Sequence, residues 1–525
     1  MEIIVRYSGD FEEFITGLED LGIFRPVDLG QGYAVIGISA DMIPLLETLP
    51  LVEDTELPKD IFLENDFTDP GNCPEIPDFR RSLYSGSGVL IGIIDTGVDY
   101  TNKEFRLPDG RTRIAAMWDQ SADGTPPAGF YEGAEYSRDR INTALFSADP
   151  FSVIAKTDIS GHGTAVAGIA AGNSTGVAYE SELIVVCVRS ASGEGEKTTQ
   201  LMKGLRYVIT KAAQLKKPVA INISYGMNEG SHRGDSLFET YISAVSGEWK
   251  TTIVIPTGNE GGAGHHYEGD LKEGEQLDIG FFTAQGIESL YLSMWKNYTD
   301  IISAELFFPD GKSTGVINRF TTSTKSVIDG LSVTSVFGQP GVRSVFQEIY
   351  YDIRPAGGII PQALWTLRLR AGSIADGHFD IWLPTIEQVT AKTYFTDPED
   401  TLTMTIPSTA QGIIRTAGFD RRTGAAAVFS GRGKRCPGEI FPDVSAPAVE
   451  VTAPSLTGGF DSLSGTSFAA PVITGYAAQL MEWGIVCGNS PFMYGERVKA
   501  EIRLRAQRSR ELTYPDPSLG YGRIM

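Results

Sequence analysis

Three short segments of the sequence carry side chains that together could perform nucleophilic catalysis. Asp95 lies in the segment IIDTGVD, His162 in GHGTAVAG and Ser467 in SGTSFAAP. A serine hydroxyl is a weak nucleophile near neutral pH, so it needs a base that takes its proton and a carboxylate that orients the base. Histidine and aspartate supply these two roles. The three segments therefore predict acyl transfer through a serine nucleophile.

Each segment on its own also has a structural interpretation. An aspartate that closes a strand is often a helix cap, a lone histidine is usually a core or surface residue, and a serine before a helix is by default an N-cap. Here the three residue types occur together, each in a glycine-rich surround. Their joint presence favours the catalytic interpretation of Asp95, His162 and Ser467.

The elements that must position these residues are those of an α/β domain. Near-continuous apolar runs predict strands buried on both faces of a parallel sheet, and they lie at 89–94, 183–188, 219–223 and 252–255. Helical patterns at 164–171 and 199–215 separate the runs, an alternation typical of a parallel sheet with flanking helices. Asp95 then falls at the carboxyl end of the first strand, where functional groups of such sheets gather.

Two further units flank or interrupt the α/β pattern. Residues 1–62 follow the order βαββαβ, which predicts a ferredoxin-like unit, and residues 63–80 are a linker rich in Pro, Asp, Asn and Gly. Residues 265–406 alternate with a period of two between turn signals, which predicts an antiparallel β-sandwich. The α/β character spans 81–264 and resumes over 407–525, so the sandwich is predicted to be an insertion.

The composition limits the partners and the compartment. The chain has 66 acidic and 44 basic residues among 525, a formal charge of −22, and such a surface repels phosphate backbones and anionic membranes. We therefore expect neither nucleic acid nor a membrane as a partner. No apolar run reaches the roughly 18 residues of a spanning helix. The N-terminus lacks a basic segment followed by an apolar one, so no secretory signal is expected.

The cysteine and histidine spacings give no metal site. Four scattered cysteines without CxxC or Cys/His spacing predict buried reduced thiols rather than zinc ligation, and they are Cys73, Cys187, Cys436 and Cys487. His265 and His266 are adjacent and leave two interpretations, a metal site or, as the favoured one, a solvated loop. His232 and His378 have no partner by spacing. We predict no cofactor.

The segments DTGVD, GHGTAVAG and GTSFAAP resemble the three signatures of the subtilisin-like serine peptidases and occur in that family's order. The resemblance covers roughly 76–264 and 407–525. It implies a subtilisin-like α/β fold, a triad of Asp95, His162 and Ser467, and protein or peptide substrates. Because Ser467 stands in GTSFA and not in GxSxG, a nucleophile elbow of the α/β-hydrolase kind is excluded.

The same resemblance implies further site residues. The segment PTGNEG is similar to the one that supplies the family's oxyanion-hole asparagine, here Asn259, and the Ser467 backbone N–H would be a second donor. The segment ISYG resembles the substrate-binding strand, which assigns Ser224, Tyr225 and Gly226 to pairing with an extended peptide. Residues 1–62 resemble the family's propeptide, a folding chaperone whose tail lies in the active-site cleft.

The long insertion and the missing signal resemble a narrower group, the Csp germination proteases of spore-forming clostridia. This resemblance implies a jelly-roll insert, autoprocessing, activation of a germination zymogen, and a cytoplasmic or spore-associated location. The segment Gly172–Gly176 is too short for the calcium loop of secreted family members. Two alternatives stay open: a catalytically silent pseudopeptidase that acts as a sensor or binding module, and an insert that rigidifies the scaffold rather than recognising a partner.

Overall fold

The computed structural model describes most of the chain, namely residues 1–64, 66–68, 82–189, 195–341, 344–434 and 441–525. Most of the predicted linker and two of the four cysteines, Cys73 and Cys436, lie outside these ranges. Both described cysteines are free thiols. Cys187 is buried, and burial raises the pKa of its thiol. The prediction of a buried thiol is wrong for Cys487, which is exposed beyond the end of a helix.

The N-terminal unit is a small α+β structure. Its elements are β1 (Glu2–Tyr7), α1 (Phe11–Asp20), β2 (Val27–Gly30), β3 (Tyr33–Gly37), α2 (Ile43–Leu46) and β4 (Val52–Glu56). Asp10 caps α1 by accepting from the Glu12 N–H, and Phe14 and Leu18 pack from α1 onto the sheet. The strand order is β2-β3-β1-β4 with antiparallel pairs, which confirms the ferredoxin-like prediction.

Two short strands follow this unit and belong to other sheets. They are β5 (Phe62–Leu63) and β6 (Asp66–Thr68).

The α/β domain begins with alternating strands and helices. Its first part contains β7 (Leu90–Asp95), β8 (Ile114–Asp119), β9 (Ala134–Ser137), α3 (Arg138–Leu145), α4 (His162–Ala171), β10 (Glu182–Cys187), α5 (Thr198–Leu215), β11 (Val219–Ile223), β12 (Tyr225–Gly226), α6 (Leu237–Ser246) and β13 (Thr251–Pro256).

Two antiparallel sheets interrupt the α/β domain. Their elements are β14 (His266–Asp270), β15 (Gln276–Phe282), β16 (Leu290–Asn297), β17 (Ile302–Phe307), β18 (Ser313–Ile317), β19 (Ser323–Ile328), β20 (Leu331–Phe337), β21 (Phe346–Pro355), β22 (Leu364–Ala371), β23 (His378–Trp382), α7 (Ile386–Val389) and β24 (Tyr394–Phe395). The sheet orders are β14-β23-β16-β21-β20-β19 and β18-β17-β22-β15-β24. Alternate residues of both sheets form one shared core around Trp365, as expected of a sandwich.

The α/β domain then resumes. Its second part contains β25 (Ile414–Phe419), β26 (Val444–Pro447), β27 (Val451–Pro454), β28 (Phe460–Ser464), α8 (Thr466–Met481) and α9 (Glu496–Arg505). The main sheet has the order β26-β25-β13-β11-β7-β10-β8-β9, in which only β9 pairs antiparallel. The predicted subtilisin-like α/β fold is confirmed.

The main sheet lies between two helical layers, and this explains its apolar strands. Ile91 and Ile93 of β7 pack with α4 and α8, whereas Leu90 and Ile94 pack with α5 and α6. A strand buried on both faces needs apolar residues at every position, which is the pattern in the sequence. In the described part of the chain, no helix has the length and hydrophobicity to span a bilayer.

Candidate active site

The first predicted pair forms at the carboxyl edge of the main sheet. Asp95 is the last residue of β7, and His162 is the first residue of α4. The His162 Nδ1 atom lies 2.6 Å from Asp95 Oδ1, and both side chains are buried. Because Nδ1 donates to the carboxylate, Nε2 of the neutral imidazole is left as a proton acceptor.

A second carboxylate holds the histidine in place. Asp158 accepts from the backbone N–H of Gly161 and of Thr164, each at 2.9 Å. These donors flank His162, and two carboxylate contacts of this kind stabilise the exposed N–H groups of a helix start. Asp158 also accepts from the Thr96 hydroxyl at 3.0 Å, and Thr96 follows Asp95. Asp158 thereby fixes both halves of the Asp95–His162 pair relative to each other.

Ser467 and Asn259 belong to the same edge of the sheet. Ser467 is the second residue of α8, and Asn259 follows β13. The Asn259 Oδ1 atom accepts from the Thr466 N–H at 3.1 Å and from the Thr466 hydroxyl at 3.2 Å. With its oxygen held in this way, the asparagine amide presents Nδ2 as its free donor. The structure therefore joins Asn259 directly to the residue before Ser467.

The buried polar atoms that have no hydrogen-bond partner among the described residues include Ser467 Oγ, His162 Nε2 and Asn259 Nδ2. A buried polar group without a partner is costly, so such groups usually serve a purpose other than stability. Here they are a hydroxyl, an imidazole acceptor and an amide donor. The ring of Phe468, next to Ser467, lies 5.5 Å from the His162 ring, centre to centre, so the two helix starts are neighbours.

Two glycines allow the close approach of these segments. A side chain at Gly163 would collide with the Gly97 carbonyl oxygen, so α4 can approach β7 only with glycine there. Gly258 has φ of +84°, a conformation that favours glycine, and it turns the chain from β13 into Asn259. The glycines that flank His162 and Asn259 in the sequence are thus explained by backbone geometry.

The segment that follows β4 lies along the predicted substrate-binding strand. Leu63 pairs with Tyr225 and Phe62 with Gly226, in antiparallel register. On the other side, the Ile61 N–H donates to the Glu196 carbonyl at 3.1 Å, and the Lys59 carbonyl accepts from the Thr198 N–H at 3.0 Å. We call residues 59–64 the tail. It is a central strand between two edges of the α/β domain, the binding mode of an extended peptide.

Ser224 differs from its two neighbours. Its hydroxyl accepts from the Asn222 side chain at 2.8 Å inside the sheet, and the pairing with the tail involves only Tyr225 and Gly226.

The tail ends at a buried carboxyl group, Glu64, which is 3% exposed. Its carboxyl accepts from the Thr405 hydroxyl. Burial raises the pKa of Glu64 to about 8, and the neighbouring Glu260 adds to this, while Thr405 and the Gly258 N–H act against it. Two residues further on, Asp66 of β6 pairs with Ser464, three positions before Ser467.

The predicted solvated loop at His265 and His266 is wrong, because both rings are buried. His265 Nδ1 lies 2.6 Å from Glu260 Oε2, and its Nε2 lies 2.8 Å from the Thr393 carbonyl oxygen. His266 Nε2 lies 3.1 Å from Asp380 Oδ1. Over the residues that the structure describes, no group of three or more His, Cys, Asp or Glu is arranged to hold a metal ion.

The other two histidines also have partners that spacing did not indicate. His232 stacks on Trp382 with ring centres 4.1 Å apart, and Trp382 also stacks against His266. Burial lowers the pKa of His232 to about 4. His378 is half-buried, and its contact with Asp380 raises the pKa of the ring. The stack of His232 on Trp382 joins the α/β domain to the sandwich.

Sequence reasoning missed Asp158, Glu64 and Thr405. Asp158 could have been found as an acid just before a helix start, in DISGHGT. Glu64 was assigned to the linker, since the tail has no periodic pattern. Thr405 lies some 340 residues from Glu64 along the chain, and nothing in the sequence connects the two.

Comparison with known proteins identifies the family of the chain. The model of the subtilase family matches residues 86–331 and 387–522, and the model of the Csp protease B prodomain matches residues 1–59. The solved structure of the Clostridium perfringens CspB protease superposes with a TM-score of 0.78 at 35% identity, covering 86% of this chain and 94% of that one. Fervidolysin from Fervidobacterium pennivorans, at 14% identity and a TM-score of 0.52, covers 100% of this chain and 60% of its own and shares the fold.

Two curated relatives are much longer proteins, and this chain matches only a part of each. The PII-type proteinase of Lacticaseibacillus paracasei is 26% identical over 54% of this chain, and the match spans 15% of that proteinase. The C5a peptidase of Streptococcus pyogenes is 21% identical over 79% of this chain and 36% of its own length. Because the subtilase model matches well over half of the residues, the chain belongs to the subtilase family of subtilisin-like peptidases, with a Csp-type prodomain at its N-terminus.

Proposed function

We propose that the protein is a serine endopeptidase that hydrolyses peptide bonds of protein substrates through an acyl-enzyme. The observation that supports this most strongly is the set of three unpartnered atoms, Ser467 Oγ, His162 Nε2 and Asn259 Nδ2, beside a cleft that already holds a peptide strand. A nucleophile, a base and an oxyanion donor are what acyl transfer requires.

In the proposed reaction, Ser467 Oγ attacks the carbonyl carbon of the scissile bond while His162 Nε2 takes its proton. His162 then gives the proton to the leaving amine, and water hydrolyses the acyl-enzyme by the same route in reverse. Asp95 holds the imidazole by its Nδ1–H at 2.6 Å and stabilises the imidazolium that forms. Asp158 acts through His162 as a positioning residue.

The Asn259 amide is the proposed donor to the oxyanion, with the Ser467 backbone N–H as the second. The negative charge develops on the substrate oxygen only in the transition state, so a donor fixed beforehand lowers the barrier without reorganising. Asn259 Oδ1 is held by two donors of Thr466. This contact supports the role, since it fixes the amide orientation before substrate arrives.

The prodomain is proposed to act as a folding chaperone and then as an inhibitor that occupies the cleft. Glu56 accepts from the Leu237 N–H at 2.6 Å, at the start of α6, a favourable place for a carboxylate. Lys59 donates to the Glu229 carbonyl at 3.1 Å. Burial alone would lower the pKa of Lys59, but Glu229 and Glu56 raise it to about 12, so this half-buried lysine remains a cation.

The predicted boundary of the insert bears on whether the insert takes part in substrate recognition. Residues 265–406 were assigned to the insert, yet Thr405 contacts Glu64 and the Ile386 N–H donates to Glu260 at 2.8 Å. We propose that the end of the insert contributes to substrate recognition and is not only a scaffold. Exchanging 265–384 alone, and keeping 385–406, should preserve peptide preference; a changed preference would contradict this division.

The resemblance to the Csp group supports a narrower proposal, that the physiological substrate is a spore-germination zymogen and that the protein works in the cytoplasm or in the spore. Spores of the source organism that carry Ser467→Ala should fail to process that zymogen and should germinate poorly. Normal germination of these spores would contradict the role.

A fluorophosphonate probe tests the enzymatic proposal directly. It should label the wild-type protein at Ser467, and Ser467→Ala should abolish both labelling and peptide hydrolysis. Denatured wild-type protein is the control for non-specific labelling. If the folded, prodomain-cleaved protein neither labels nor turns over peptides, the alternative of a pseudopeptidase that senses or binds is correct.

A further inference from the structure

The side chain of Glu64 lies in a pocket against Gly226 and Thr405. A side chain at Gly226 would collide with the Glu64 carboxyl, and one at Gly258 would collide with Thr405. The Thr405 hydroxyl donates to Glu64 Oε1 at the end of the pocket. The second oxygen, Oε2, is buried and has no hydrogen-bond partner among the described residues. The pocket therefore fits a planar group of carboxyl or amide shape.

Backbone hydrogen bonds fix Thr405 beside the proposed catalytic groups. The Thr405 N–H donates to the Thr257 carbonyl at 3.1 Å, two residues before Asn259. The next residue, Ile406, exchanges two hydrogen bonds of 2.9 Å with Met227, which follows β12. The hydroxyl is thus held between the strand that pairs with the tail and the loop that carries Asn259.

The register of the tail gives the position of Glu64 relative to the nucleophile. Leu63 is the last residue paired with β12, and the tail is next described at Asp66, opposite Ser464. Glu64 thus lies between the substrate-binding strand and the segment that leads into Ser467.

We propose that Glu64 is the P1 residue of the self-cleavage site and that its pocket selects substrates with glutamine or uncharged glutamate at P1. This rests on the proposed function. Ser467 Oγ would form an ester with the Glu64 carbonyl carbon as the bond to the next nitrogen breaks and that nitrogen takes the proton held by His162. Water then hydrolyses this ester, which releases a prodomain with a C-terminal α-carboxylate at residue 64 and regenerates Ser467.

The charges that face Glu64 favour a neutral side chain. Glu260, which follows Asn259, and Glu387 of α7 both interact with Glu64, and burial together with Glu260 also raises the pKa of Glu387. Glu260 in turn contacts His265. Among the described residues no lysine, arginine or histidine forms an ion pair with Glu64 itself. A glutamine amide carries no charge, and its NH₂ group would be attracted by the same carboxylates.

The remainder of the tail completes the expected recognition sequence. Ile61 is buried in the core cluster that contains Tyr225 and Met227, while Phe62 and Leu63 are half-buried. We therefore expect an apolar residue at P4, and a sequence of the form Ile-Phe-Leu-Gln or Ile-Phe-Leu-Glu to be cleaved after its last residue.

Self-cleavage of the full chain is the first test, followed by intact mass over time. Wild type and Glu64→Gln should both yield a fragment that ends at residue 64, and Glu64→Leu should be cleaved at least tenfold more slowly. Glu53→Gln, an acid-to-amide change at an exposed site of the prodomain, is the matched control and should behave as wild type. A cut at another bond in wild type would overturn the assignment of P1.

The second test compares peptides on the processed enzyme, with succinyl-Ile-Phe-Leu-X-p-nitroanilides in which X is Gln, Glu, Leu or Lys. A free glutamate ionises near pH 4.5, whereas the pKa of Glu64 in the pocket is about 8. The pocket therefore binds the protonated form, which becomes scarcer tenfold with each pH unit between these values. The ratio of kcat/KM for Gln over Glu should rise about tenfold per unit from pH 5 to 8. Taking the ratio cancels any pH dependence of the enzyme that the two substrates share.

Thr405→Val removes the hydroxyl and keeps the shape of the side chain. The preference for Gln over Leu should fall about ten- to hundredfold, since the pocket loses its donor. Thr452→Val, at a buried threonine whose hydroxyl has no partner among the described residues, is the matched control. If Leu or Lys peptides are cleaved better than Gln peptides, the P1 proposal fails while the peptidase proposal stands. If no peptide is cleaved and Ser467 is not labelled, both fail.

Discussion

Among the described residues, two buried carboxylate–imidazole contacts have the same length and differ in what the second ring nitrogen faces. Asp95 and His162 are 2.6 Å apart at the carboxyl edge of the main sheet, and Glu260 and His265 are also 2.6 Å apart, next to Asn259. In both pairs the contact is made by Nδ1, and all four side chains are buried.

The difference lies at the second ring nitrogen. His162 Nε2 has no hydrogen-bond partner among the residues described, whereas His265 Nε2 faces the Thr393 carbonyl oxygen at 2.8 Å. With an acceptor facing each of its two nitrogens, His265 has no ring nitrogen open toward a substrate. Glu260 is also tied by Asn228 and by the Ile386 N–H. A short carboxylate–imidazole contact therefore does not identify a base; the free nitrogen does.

Replacing the two histidines should produce the largest contrast. We expect His162→Ala to lower kcat by about 10⁶-fold, the magnitude known for the corresponding residue in subtilisin, because Ser467 loses its base. His265→Ala should lower kcat less than tenfold in protein that is still folded. Peptide turnover by the processed enzyme, with circular dichroism to confirm folding, measures both. A comparable loss in the two variants would contradict the distinction drawn from the free nitrogen.

Replacing the two carboxylates should give the next largest contrast. Asp95→Asn keeps the shape but reverses the tautomer of His162, so we expect a loss of about 10⁴ in kcat. Glu260→Gln can keep one oxygen for the Ile386 N–H and should change kcat far less. The pH–rate profile distinguishes Asp95→Asn from Glu260→Gln. In Asp95→Asn the loss of kcat should become smaller at high pH, where hydroxide can replace the missing base.

The two asparagines next to these pairs provide a third contrast. Asn259→Ala removes the proposed oxyanion donor and should lower kcat by about 10²–10³ with little change in KM. Asn228→Ala removes a buried amide that donates to Glu260 and to the Leu383 carbonyl, each at 3.1 Å, and should reduce stability instead. Steady-state kinetics of both variants checks this. An equal kcat for Asn259→Ala and wild type would remove Asn259 from the mechanism.

We expect His265→Ala to have the smallest effect on turnover and a clear effect on stability. His265→Ala leaves the Glu260 carboxylate buried without its imidazole partner, so we expect the free energy of unfolding to fall by about 3–5 kcal/mol. Urea unfolding at pH 7 measures it. The double variant His265→Ala, Glu260→Ala should recover part of this loss, because it removes the unpaired charge as well. Failure to recover any stability would mean that packing, and not charge, dominates at this pair.

Much of the architecture was predictable because it depends on local patterns. The continuous apolar run that ends at Asp95 predicted a strand buried on both faces, and the structure has it between two helical layers. The period-two alternation around Trp365 predicted a sandwich, and in the structure alternate residues of this strand are buried. The fate of His265 and His266 was not predictable, since their partners Thr393 and Asp380 lie more than 100 residues away.

The sequence by itself determined which residues could perform the chemistry, since Asp95, His162, Asn259 and Ser467 each stand in a short motif whose glycines and strand or helix boundaries are local. Only the tertiary structure decided what surrounds them. It left one histidine nitrogen free and closed the other, and it brought Thr405 against Glu64 across some 340 residues. The physical reason is that backbone conformation follows from neighbouring residues, whereas burial, charge and hydrogen-bond partners depend on segments that meet only when the chain folds.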